Sequence, residues 1–186
     1  QTISGFNEYV NTLKKIENAK VSMTLTKFNS KKTEVVFSGL SILDVPHLND
    51  DTYVPNELTP LYDAVGRSIV NVDEHLSKLR RQKRGLPKVL FAIMTDGEEN
   101  ASREYTRSQV FQMVQEREKQ GWTFVFLGAN QDAYQSAQTI GIMHQNNTLS
   151  YAVADTASTF VRVASASAAY VASSDASKKD FFDKKS

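Results

Sequence analysis

Two continuous apolar runs stand out from a chain that is otherwise alternating or helically spaced. Val89 to Met94 and Trp122 to Leu127 carry no charge. Bounded by turn signals, such runs read as strands buried on both faces of a sheet. Both end in small residues followed by acids and amides. The first runs into Thr95-Asp96-Gly97-Glu98-Glu99-Asn100, the second into Gly128-Ala129-Asn130-Gln131-Asp132. Rigid strands therefore deliver carboxylates to one edge. In open parallel sheets that carboxyl edge is where ligands sit. Asp-Gly is also an ordinary turn dipeptide, so a ligand site and a plain turn both remain open on this segment alone.

The rest of the pattern supplies the surrounding elements. Ile3, Phe6, Val10, Leu13 and Ile16 are spaced for an amphipathic helix over residues 2–17. Val21 to Phe28 alternates as a half-exposed strand, Asn29 to Lys32 makes a turn, and Thr33 to Leu43 returns as a second strand. Residues 44–57 are polar, contain Pro46 and Pro55, and read as a loop. Thr59 suits a helix N-cap and Pro60 the first helical position. Leu61, Val65, Ile69, Val72, Leu76 and Leu79 then continue the helix to about Gln82.

A helix is predicted from Arg103 to Gln120 with Val110, Phe111 and Val114 facing inward, and a short one from Asp132 to Ile140. A loop, a short strand over Thr148 to Ala152 and a closing helix over Thr156 to Ser173 follow. Phe160, Ala164, Ala168 and Val171 fall on one face of that helix. The polar tail, Asp175 to Ser186, is expected to fray. Strands alternating with helices imply an α/β fold. The expectation is a doubly wound, mostly parallel sheet with one antiparallel edge hairpin and helices on both faces. Residues 1–174 form one domain, and 175–186 a tail.

Composition narrows the function. A chain of 186 residues with 40% hydrophobic and 23% charged residues suits one domain with a good core. A net charge of +1 gives no general field for nucleic acid or membrane. The basic cluster from Lys78 to Arg84 complements the dipole at a helix end. No stretch approaches the ~20 apolar residues that span a bilayer, so membrane insertion is not expected. The absence of cysteine excludes disulfides, thiolate metal sites and cysteine nucleophiles. The chain opens at Gln1 inside a helical pattern, so no leader can be read from it. The expected location is the cytoplasm.

No glycine-rich phosphate loop follows a strand and no Gly-x-Ser-x-Gly elbow is present. His47, His75 and His144 lack metal-ligand spacing and read as surface residues. The sequons at Asn100 and Asn146 are short enough to arise by chance. What remains is oxygen chemistry: Thr59, Asp96, and with them Asn130 and Asp132. Hydroxyl, carboxylate and water oxygens suit Mg²⁺.

Thr59-Pro60-Leu61-Tyr62-Asp63-Ala64, followed in order by Ile93-Met94-Thr95-Asp96-Gly97-Glu98-Glu99-Asn100, resembles the von Willebrand factor A-type domain. The opening helix, Thr2 to Asn7, is similar to the first helix of bacterial members. The resemblance implies a Rossmann-like fold with a metal-ion-dependent adhesion site. Three loops supply the metal in that family. Thr59 matches the second loop's Thr and Asp96 the third loop's Asp. The first loop, Asp-x-Ser-x-Ser, ends a central strand that would precede residue 1, and it has no counterpart here. The expectation is that the chain is a fragment of a longer molecule, or that another chain supplies the strand.

Three functions follow. The first is a non-enzymatic protein-binding module in which Mg²⁺ or Mn²⁺ at Thr59 and Asp96 captures a carboxylate of a protein partner. Glu98, Glu99, Asn100, Asn130 and Asp132 would then contact that partner from the surrounding loops. The second is a metal-free interaction scaffold of the same fold. The third is a metal-dependent hydrolase, disfavoured because only Asp132 offers a carboxylate at a second strand end and no Lys or His is placed beside the metal. Two protein ligands hold Mg²⁺ weakly, so full affinity is expected to need the missing motif.

Overall fold

The computed structural model describes residues 1–29, 33–52, 59–130, 132–175 and 178–182. The expected hairpin turn and the expected loop before Thr59 fall largely on residues outside that set. Five helices and five strands are present among the described residues: α1 (Thr2–Lys14), β1 (Ser22–Phe28), β2 (Thr33–Ser41), α2 (Leu61–Arg81), β3 (Leu90–Thr95), α3 (Arg107–Lys119), β4 (Thr123–Ala129), α4 (Ala133–Thr139), β5 (Thr148–Tyr151) and α5 (Thr156–Ala172).

The α/β class holds, and the strands fall into two sheets. β3, β4 and β5 form a parallel sheet in that order, with Leu90 level with Thr123 and Thr95 level with Gly128. β1 and β2 pair antiparallel in a sheet of their own. The hairpin is therefore not an edge of the parallel sheet, as the sequence suggested.

Helices cover both faces of the parallel sheet. Phe124 and Phe126 of β4 and Ile93 of β3 pack against Leu61, Val65 and Ile69 of α2, Val110 and Val114 of α3, and Ala133 and Ala137 of α4. Val125 and Leu127 alternate to the other face and meet Val163 and Tyr170 of α5. This period of two is the pleat expressed in packing. A third cluster seats the hairpin on α1, where Phe6, Val10 and Leu13 meet Met23, Leu25, Phe37 and Leu40. Phe28 at the end of β1 joins the α2 cluster. The two sheets thus share helices without sharing a ladder.

Two expectations need correction. Val89 to Met94 has helix cover on both faces but is not fully buried. β4 is buried at every residue, whereas β3 is an edge strand among the described residues and Ala92 at its middle is exposed. Its apolar run reflects cover from helices on the two faces, and a run of this kind carries no information about lateral pairing. The tail is also not frayed where it is described. Phe181 and Phe182 are 2% and 4% exposed and pack against β4 and α5. The buried Asn147 side chain anchors them, donating to Phe124 O and Lys178 O and accepting from Phe181 N–H. Two adjacent Phe residues bury enough apolar surface to hold a polar segment down.

Candidate functional site

The carboxyl end of β3 and the start of α2 are joined by a dense set of hydrogen bonds. α2 opens without a side-chain cap of its own, because its first residues receive acceptors from a loop some 40 positions later. Glu99 Oε2 accepts from Tyr62 N–H at 2.9 Å. Ser102 Oγ accepts from Asp63 N–H at 3.1 Å. A carboxylate at this position also faces the positive end of the helix dipole. Thr59 is therefore not the cap that the sequence suggested. Its carbonyl accepts from Leu61 N–H and Asn100 N–H, and its own N–H donates to Asn100 Oδ1 at 2.9 Å.

This arrangement releases the Thr59 hydroxyl toward the end of β3. A β-carbon built on Gly97 would lie 2.6 Å from Thr59 Oγ1, closer than side chains approach. Gly97 is needed for this approach, not for a left-handed turn, since its φ is not among the positive ones. Thr59 Oγ1 thus lies against the residue next to Asp96. The Asp96 and Glu98 side chains are exposed. Buried Thr95 fixes the turn, its hydroxyl donating to Gly97 O at 3.0 Å and accepting from Gly97 N–H.

The other candidate residues carry structural tasks. Glu99 uses both oxygens, with Ala101 N–H and Ser102 N–H on Oε1 and Tyr62 N–H and Ser102 Oγ–H on Oε2. Asn100 clasps Thr59. Asn130 sits at φ 53 and accepts weakly from Val153 N–H. Asp132 Oδ1 caps α4 through Tyr134 N–H and Gln135 N–H, both at 3.0 Å. The parallel register sets Asp96 and Asn130 at the ends of neighbouring strands.

Sequence reasoning passed over Asp63, and Asp63 holds the loop. Its buried carboxylate accepts from Arg103, Glu104 and Tyr105 N–H at 2.8–2.9 Å. Burial alone would push its pKa up. The three N–H donors and the nearby Arg67 more than offset burial, and hold the carboxyl below its ordinary range. Arg67 in turn forks onto Glu104. The signal was available, since an acid in the first helical turn is common. Its three partners lie 40 to 42 positions away and were not legible.

Thr59 brings a hydroxyl to this edge and Asp96 an exposed carboxylate, with exposed Glu98 on the other side of Gly97, so the donors are all oxygen. That chemistry fits Mg²⁺ or Mn²⁺, which keep waters in their remaining positions. Among the described residues no three His, Asp or Glu side chains converge as a metal cluster. Among the described residues, no helix is long and apolar enough to cross a membrane. Neither a protein-family model nor a curated protein matches the chain.

Proposed function

We propose that the chain is a protein-binding module of the von Willebrand factor A type that captures a partner's carboxylate through a divalent cation at Thr59 and Asp96. The observation that carries this reading is the close approach of Thr59 Oγ1 to Gly97 beside Asp96. Two residues far apart in sequence bring hydroxyl and carboxylate oxygens to one exposed edge. The loop that carries Asp96 is fastened to Thr59 and the start of α2 by Asp63, Glu99 and Asn100, which ties together the backbone segments that carry the two donors. Preorganisation of this kind lowers the cost of binding. A cation there, when bound, would leave a coordination position for the partner's acid. Asp132 at the neighbouring strand end is committed to capping α4, which favours binding over hydrolysis.

The fold proposal that accompanies it is a doubly wound, Rossmann-like sheet completed by one further strand. Its support is that the two sheets lie against shared helices while β3 has no strand on its outer edge among the described residues. A strand there, from a preceding segment or from another chain, would satisfy that edge and could bring the remaining metal oxygens. The cytoplasm is the location proposed for such a module.

Calorimetric titration tests the metal reading. The 186-residue chain is expected to bind Mn²⁺ weakly. A form extended by an Asp-x-Ser-x-Ser strand should bind it at least tenfold more tightly, lose it on Asp96→Ala and keep it on Thr59→Ser. Tight binding that survives both Asp96→Ala and Thr59→Ala would place the ion elsewhere and end the proposal.

A further inference from the structure

The basic segment at the far end of α2 is only partly explained by the helix. Residues 78–88 hold six cations and no acid: Lys78, Arg80, Arg81, Lys83, Arg84 and Lys88. Lys78, Arg80 and Arg81 lie in the last turn of α2, where they complement the dipole. That effect fades beyond the last turn, so it does not account for Lys83 and Arg84.

The segment projects. Every residue from Arg80 to Lys88 is exposed. A β-carbon on Gly85 would meet nothing within 4 Å. Lys83 sits at φ 55 in the position after the helix, where its N–H bonds Arg80 O and the next N–H bonds Leu79 O. Glycine, which has no β-carbon, is the usual residue there, so Lys83 holds a backbone conformation that glycine adopts more easily. Asp73, an acid of the preceding turns, is taken by Arg117 at 2.6 Å, while Glu74 remains beside Lys78. Among the described residues, Arg80, Arg81, Lys83 and Arg84 form no ion pair. Lys88 is different, because it donates to Tyr170 O and Ser173 O.

An apolar residue stands among these cations. Leu86 is 47% exposed, with exposed Pro87 beside it. An exposed basic turn with a half-exposed leucine among its cations suits an anionic surface with an apolar layer beneath it. Single-stranded nucleic acid would call for exposed aromatic rings on which bases stack. Residues 78–88 contain none, and the two rings beside the segment, Trp122 and Tyr170, are 4% and 2% exposed. We infer that this turn docks peripherally on anionic phospholipid, with Arg80, Lys83 and Arg84 at the headgroups and Leu86 entering the interface. The site lies at the opposite end of β3 from Asp96 and is independent of the metal.

Sedimentation of the full chain with phosphatidylcholine vesicles, with and without phosphatidylserine, tests it in the presence of EDTA. Binding is expected only to the phosphatidylserine vesicles and should weaken with salt. The Arg80→Gln, Lys83→Gln, Arg84→Gln variant should bind about 100-fold more weakly, with an unchanged circular dichroism spectrum. Leu86→Ser alone should weaken binding severalfold while leaving all the cations in place. Equal binding to both vesicle types, no binding, or triple-variant binding at the original level would overturn the inference. Tighter binding to a single-stranded oligonucleotide than to the vesicles would overturn it in favour of nucleic acid.

Discussion

At Asp63 a buried carboxylate faces three backbone N–H groups, and the charge state of this one side chain bears on the whole loop from Arg103 to Tyr105. Its folded pKa lies below the ordinary value. Stability from that difference is therefore fully present above the unfolded pKa of about 3.9 and is lost as pH falls through the lower folded value. Asp63→Ala should cost about 3 kcal/mol at neutral pH, because three donors lose a charged acceptor. Asp63→Asn should cost less and should flatten the acid limb of a urea-denaturation series carried from about pH 5 down to about pH 2, below the unfolded pKa. An Asn variant with the original acid limb would show that other carboxylates govern it. Thr59 gives the opposite expectation. Since Glu99 and Ser102 cap α2, Thr59→Ala should fall short of the 0.5–2 kcal/mol usual for a lost cap, and change stability by less than about 0.5 kcal/mol in thermal melts. The sequence marked Thr59 as a candidate for both a helix cap and a metal oxygen. Its freedom from capping was not, because that depends on acceptors brought in by the fold.

At the scale of elements, the loop from Asp96 to Thr106 and the start of α2 behave as one unit. The Tyr105 ring lies over Gly66, where a β-carbon would come within 2.6 Å of it. Gly66→Ala should therefore lift Tyr105 and cost about 1–3 kcal/mol through overpacking. The cost should fall in a Tyr105→Ala background, giving a non-additive cycle. Additive costs would mean that the ring does not fasten the loop. Periodicity placed α2 within one residue of its observed end, because a helix of 21 residues shows its apolar face repeatedly. It placed the start of α3 four residues too early. Residues 103–105 are held by Asp63, and the helix begins only after Thr106, which makes a capping box with Gln109. The Thr106 and Gln109 pair is a local signal, but nothing local tells of a distant carboxylate that holds the preceding residues out of the helix.

For the whole molecule, the lateral order of strands was the least legible feature. β3 and β4 are apolar for the same reason, cover by helices on two faces, yet one is central and the other is an edge. Backbone direction makes the difference testable. Val89 O accepts from Thr123 N–H, so the odd-numbered residues of β3 aim their polar groups at β4. The amides of Leu90, Ala92 and Met94 then point to the open edge. Among the described residues no strand covers that edge, and an unpaired parallel edge is a template for another strand. In hydrogen exchange followed by NMR, Phe91, Ile93 and Thr95 should be protected together with β4, while Leu90, Ala92 and Met94 exchange faster. Addition of a strand that completes the sheet should slow those three selectively and raise the melting temperature, since a ligand that binds only the folded state stabilises it. Six equally protected amides in the chain alone would mean that the edge is already covered, and the completed doubly wound sheet would then have to be abandoned.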